Sequence, residues 1–274
     1  MHIINIISAL AAKNCPSYVE KTNQDTLLLS MNALITLFNI KEPFIMNHKT
    51  SDQNASNRTL MRWGAGAFFA MPMCYIVMFL IFGVALSFPQ TEFVSDKIAY
   101  IASQQSLLSF AYIVGYLVFG SLLLIAVQTM HTRLNLLSPH LLNVASAFGF
   151  IWVVLMMCSG MIALVGMNTM LSLFTKSSPH ADTLFYAYTT VVNGLGGGIE
   201  MVGGLWVLLI SLYGLKTIQL AKGLHLLGIG VGAFGVLTLF QSVPEMKEAF
   251  GLSQVVWFFW MGFSLLKSSA GNTQ

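Results

Sequence analysis

The residue best placed to do chemistry is a single acid, Glu200, in the stretch NGLGGGIEMVGGLW (193–206), which holds six glycines and is otherwise mostly apolar. A charge in the middle of a membrane costs about 3 kcal/mol or more. An acid there is therefore neutral, paired or facing water. On a helix turning about 100° per residue, Gly196, Gly197, Gly203 and Gly204 project within about 60° of Glu200, and Asn193 lies near the same line. The acid is expected to leave a helix face stripped of side chains above and below it.

Two readings are open. In one, Glu200 is protonated and donates to a backbone carbonyl or a polar side chain of a neighbouring helix, and the glycines form a packing face. Gly194 with Gly198 makes a GxxxG pair, and GIGVG (228–232) places Gly228 and Gly232 on a second small-residue face; such faces let helices approach closely in lipid. In the other, Glu200 is a proton or cation site with Asn193 as its polar neighbour. Each glycine costs a helix about 1 kcal/mol relative to alanine, so GLGGG is a place for a helix to break. Secondary transporters build midplane sites at broken helices.

Other reactive groups are sparse. His131, His140 and His225 are expected at one depth, at the ends of apolar segments, where three imidazoles could hold a metal or haem iron. None has a second histidine at helical spacing, so interfacial side chains are the simpler reading and no metal or other cofactor is implied. HExxH, GxSxG and Walker motifs are all missing, and with them any enzyme signature. Cys15, Cys74 and Cys158 are odd in number and scattered, a pattern of packing residues rather than a disulfide framework. Asn143, like Asn193, is a candidate for hydrogen bonding between helices.

The elements that position these groups are membrane helices. Hydrophobic residues make up 56% of the chain and charged ones 8%, with mean hydropathy +0.74; about 25% charged is usual for a soluble domain. The partner of most of the surface is a lipid bilayer. The net charge of +3 is too small and too spread to argue for nucleic acid. Six stretches approach the roughly 20 apolar residues of a span: 65–88, 107–127, 141–165, 184–215 (long for one span), 224–243 and 252–266 (short). The fold class is therefore all-α, a polytopic transmembrane bundle. Ser-Pro pairs at 138–139 and 178–179 mark helix starts, Pro89 follows the end of the first helix, and SVPEMKEAF (242–250) reads as a turn and a short interfacial helix. Five tryptophans (63, 152, 206, 257, 260) and Tyr100, Tyr186, Tyr188 and Tyr213 read as interface anchors. In VVWFFWMGF (255–263) a lipid-facing or packing stripe is the simpler alternative to a pocket wall.

Lys49, Arg58, Arg62, Arg133, Lys216, Lys222 and Lys267 fall on one side of this threading, and only Lys97, Lys176 and Lys247 on the other. By the positive-inside rule both termini are cytoplasmic. No Lys or Arg falls within the six stretches, which leaves Glu200 without a salt-bridge partner in the membrane. The chain thus divides into a cytoplasmic or interfacial segment 1–62, a six-helix domain 63–267 and a tail 268–274. Residues 25–40 suit an amphipathic interfacial helix, and the stretch from Met46 has the look of an ordinary amino terminus, so that 1–45 are expected to be extra coding sequence.

The stretches NGLGGGIEMVGGLWVLL, GLHLLGIGVGAFGVLT and LSQVVWFFWMGFSLL are similar to the carboxy-terminal half of a group of six-helix bacterial membrane proteins classed as a domain of unknown function. The resemblance covers about 60–267 and implies a bacterial inner membrane and a six-helix bundle, but no activity. Two functions remain in play: a small proton-linked carrier using Glu200, and a non-catalytic bundle assembling with itself or a partner through its glycine faces. A homodimer would supply the volume that so short a carrier lacks. A haem protein built on the three histidines is a third. No substrate can be read from the residues.

Overall fold

The computed structural model describes residues 46–135, 139–197, 200–240, 242–243 and 245–270. The chain divides into two compact units, Met1–Gln53 and Asn54–Gln274, and the second is the helical bundle. Segment 25–40 and Gly198 lie outside the described residues.

Among the described residues the regular structure is all helical, with no strand. The helices are α1 (Met46–Leu80), α2 (Val94–Ser103), α3 (Gln105–Tyr112), α4 (Phe119–Leu134), α5 (Pro139–Thr175), α6 (His180–Val192), α7 (Met201–Thr217), α8 (Lys222–Leu237) and α9 (Glu245–Ala270). Three π-helical segments interrupt them: Ile81–Ala85 extends α1, Ile113–Val118 joins α3 to α4, and Asn193–Gly197 follows α6. Four helical stretches are long and apolar enough to cross a membrane: Ser56–Ala85, Gln105–Leu134, His140–Thr175 and Glu245–Lys267. This is a membrane protein by the composition of its helices. Large apolar side chains stay exposed on α5 at Val144, Phe150, Ile151, Val154, Met161 and Val165. From the first to the last is 21 residues, about 32 Å of helix, close to the thickness of a hydrocarbon core.

Neighbours in this bundle run antiparallel. A Cβ on Gly149 would meet Trp206 and one on Gly203 would meet Trp152, which fixes α5 against α7. In the same way Gly120 abuts Met157 between α4 and α5, and Gly204 abuts Gly235 between α7 and α8. Two apolar cores result. One fills the space among α1, α4, α5, α7, α8 and α9 around Phe68, Phe119, Trp152, Trp206 and Trp257. The other joins α2, α3, α6 and the far half of α5 around Ile98, Leu108, Met167 and Tyr188.

Several expectations change. The stretch 184–215 is not one helix, because each glycine of the run costs an α-helix about 1 kcal/mol of backbone freedom relative to alanine: α6 ends at Val192, a π turn comes next, and Glu200 has left helical geometry (φ −97°, ψ 16°). The common face expected for Glu200, Gly196, Gly197, Gly203 and Gly204 therefore does not exist as a helix face. The stretch 224–243 yields only the 16-residue α8. The last helix begins at Glu245 rather than 252 and absorbs the supposed interfacial helix; Glu245 and Glu248 in its first turn suit the positive end of the helix dipole. Helix α2 has no counterpart among the expected stretches. Trp152, Trp206 and Trp257 are core residues, 2% exposed or less, whereas Trp63 (66%) and Trp260 (40%) keep surface positions. Their rings form a chain, Trp152–Trp206 and Trp206–Trp257 both at 5.9 Å. VVWFFWMGF divides between the two simple roles: Trp257, Phe258 and Met261 are buried, and Phe263 is exposed.

Candidate functional site

The break before α7 opens onto a cavity of about 450 Å³, within the range of small-molecule pockets. Glu200, Asn193 and Lys247 line it, together with Tyr75, Tyr112, Tyr116 and an apolar wall that includes Phe82, Phe119 and Met156. Each π-helical segment contributes to this wall: Phe82 from the first, Gly115 and Tyr116 from the second, Asn193 from the third. A π turn inserts a residue that an α-helical ladder cannot accommodate, and such turns are frequent at functional sites.

Glu200 is held by its backbone. It caps α7, and its N–H donates to Thr238 Oγ1 at 2.9 Å, while Thr238 donates onward to the Gly235 carbonyl at 2.7 Å. Because Gly204 packs on Gly235 with no side chain on either, the two helices come close enough for this contact. The Glu200 side chain is half-buried. Lys247 acts on it electrostatically, and Glu200 in turn acts on Tyr75 and Tyr116. Lys247 lines the same cavity although it lies outside the six apolar stretches, because α9 starts seven residues earlier than its hydropathy suggests.

The tyrosines are tied into the frame. Tyr75 donates to Gln254 Oε1 at 3.0 Å, and Tyr188 donates to Tyr112 at 3.3 Å. Tyr75 stacks edge-on against Phe119 at 5.3 Å. Cys74, buried, is a further lining residue. The site can hold a small solute between an acid and a base, with hydroxyls and an amide for orientation and aromatic faces for apolar parts.

Of the residues singled out from sequence, Glu200 and Asn193 do come together. Gly203, Gly204, Gly228 and Gly232 pack inside the chain, against Trp152, Gly235, Trp257 and Leu208 respectively. A Cβ on Gly194 would meet nothing within 4 Å in this chain, and the other glycine of its GxxxG pair, Gly198, lies outside the described residues. Gly196 and Gly197 lie in the π turn. The three histidines do not converge. His131 Nδ1 is 2.8 Å from Ser146 Oγ, His140 is exposed, and His225, 1% exposed, has Nε2 2.6 Å from the Gln219 carbonyl. Among the described residues no group of three His, Cys, Asp or Glu is placed to hold a metal ion. Asn143 is exposed. Sequence reasoning missed Lys247 and the tyrosines. Tyr112 and Tyr116, one turn apart inside an apolar run rather than at its end, were the available signal.

In comparisons with known proteins, no family matches the chain, and no curated protein or solved structure does.

Proposed function

We propose that this chain is a multi-pass membrane protein working as a small proton-linked carrier, with the cavity at the α6–α7 break as its solute site. Glu200 is the group that takes up and gives back the proton, Asn193 is its polar neighbour, and Lys247 offers the balancing charge. The observation that carries the reading is the convergence of all three π-helical segments on one cavity that holds an acid and a base. Irregular backbone at membrane depth is tolerated where it is buried in protein or lines a water-filled cavity, and carriers use interrupted helices beside a cavity to bind solutes.

The topology proposed with it has six crossings: α1, α3 with α4, α5, α6 with α7, α8 and α9. The antiparallel contacts support that path, the lysine and arginine distribution supports cytoplasmic termini, and a bacterial inner membrane is part of the same proposal. Assembly through glycine faces is the weaker reading, because Gly203, Gly204, Gly228 and Gly232 are already covered from within the chain.

The test is solute-induced proton movement. Full-length protein is reconstituted into vesicles loaded with a pH-sensitive dye, and small amino acids, amines and carboxylic acids are added in turn. At least one class is expected to shift the internal pH with wild type and to leave it unchanged with Glu200→Gln, whose side chain has the size of a protonated acid but no proton to release. Equal responses from the two proteins, or none from any class, would reject the carrier.

A further inference from the structure

The cavity at the α6–α7 break has two ends of different chemistry. At one end Glu200 and Lys247 interact electrostatically, and Glu200 acts in the same way on Tyr75 and Tyr116. Glu200 is half-buried and Lys247 is exposed, so both charges are within reach of a solute in the cavity that they line. At the other end the Tyr112 ring packs on Phe82 at 6.2 Å, and both line the cavity. These walls are held in place by the protein's own bonds: the Tyr75 hydroxyl is tied to Gln254, and the Tyr112 hydroxyl to Tyr188.

Three classes of solute suit such a site badly. A carboxylic acid brings a second anion to Glu200, and an amine brings a second cation to Lys247. Either one adds a net charge to a cavity walled mainly by apolar groups, where charge is costly unless it is paired. An uncharged apolar solute strips water from both charges and gives nothing back to them. A zwitterion meets each charge with its opposite and adds no net charge. Tyrosine rings near the acid favour an ammonium as well, because the faces of aromatic rings attract cations. The volume of about 450 Å³, within the range of sites for drug-sized ligands, leaves room beside the two charged groups for a body of aromatic size.

We propose that the solute is a zwitterionic amino acid with a large apolar side chain, bound with its ammonium at Glu200, its carboxylate at Lys247 and its side chain against Phe82 and Tyr112. Transport of such a solute rests on the carrier reading; its binding does not. Asn193, whose amide both donates and accepts, stands on the same wall to orient the head group. A site with a partner for each charged group discriminates strongly against an analogue that lacks one of them, because the partner is then left unpaired. Loss of the apolar body costs less, since it forfeits contact area alone.

The test is the melting temperature of the full chain in detergent with four probes: phenylalanine, 2-phenylethylamine (no carboxylate), 3-phenylpropionate (no amine) and alanine (no ring). A ligand of the folded state raises the melting temperature according to its concentration over its Kd. Phenylalanine is expected to give a set rise at a concentration at least about ten-fold below either single-charge analogue, and several-fold below alanine. Lys247→Met should bring phenylethylamine level with phenylalanine, and Glu200→Gln should do the same for phenylpropionate. Each variant is read against its own unliganded melting temperature, so a loss of stability does not hide the preference. A wild type that answers phenylethylamine or phenylpropionate as well as phenylalanine, or answers none of the four, overturns the assignment. So does a preference that survives unchanged in either variant. The vesicle assay separates this claim from the carrier. Phenylalanine selected as expected, with no proton movement, leaves an amino-acid site without a carrier. Proton movement driven only by amines or only by carboxylic acids leaves a carrier for a different solute.

Discussion

Thr238 does more at the site than its size suggests. One hydroxyl accepts from the backbone N–H at the start of α7 and donates to the end of α8, so it ties together the two helix termini that hold Glu200 in place. Thr238→Val removes both bonds while keeping the shape, and leaves the Glu200 N–H without its acceptor. The expected loss is about 1–3 kcal/mol, read as a lower melting temperature in detergent, with Thr238→Ser close to wild type. At the same scale, Glu200 and Asn193 could be picked out from residue type alone, because an acid within an apolar, glycine-rich run is costly unless it has a use. Lys247 could not. Its neighbours Glu245 and Glu248 made it look like part of a short interfacial helix outside the spans, and only the packing of α9 against α1 and α8 brings it to the cavity.

At the scale of elements, the α7–α8 pair depends on bare backbone. A Cβ on Gly204 would lie 2.7 Å from Gly235 Cα and 2.9 Å from the Gly232 carbonyl oxygen. Those are backbone atoms and cannot step aside as a flexible side chain would. Gly204→Ala is therefore expected to force the helices apart at a cost of about 1–3 kcal/mol, whereas Gly230→Ala, which meets nothing within 4 Å, should melt like wild type or slightly higher. Equal melting of the two variants would mean that the close approach is not what holds the pair. The three π-helical segments belong to this scale too. No periodicity in the sequence marks them, since a π turn and an α turn draw on the same apolar residues. The glycine run at 194–198 announced only one of the three interruptions.

For the whole molecule, the prediction concerns sidedness. With the native cysteines replaced, single cysteines at Lys216 and at Lys97 should react with an impermeant thiol reagent from opposite faces of sealed membranes, the first only from the cytoplasmic face. Labelling of both from one face would overturn the six-crossing path. Helix lengths are uneven along that path. Helix α5 has 37 residues, about 55 Å, well beyond one hydrocarbon thickness, while α7 and α8 have 17 and 16. The second core, beyond the cavity, is made from the far half of α5 with α2, α3 and α6, so the site lies where one core gives way to the other.

From the sequence alone came the membrane class, the helical fold, the approximate position of most apolar segments, a break near 194–198 as one of two open readings, and Glu200 and Asn193 as candidates. These depend on composition and on neighbours along the chain: too few charges to cover a wet surface, runs of apolar residues, and glycines too weak to hold a helix. Tertiary structure alone decided which tryptophans are core, where α9 begins, that α8 is short, that Gly203, Gly204, Gly228 and Gly232 are covered within the chain, and that Lys247 and three tyrosines join the acid. Each of those depends on atoms brought together from distant parts of the chain, such as Gly204 against Gly235 or Tyr75 against Gln254, and hydropathy does not record which face of a helix meets which.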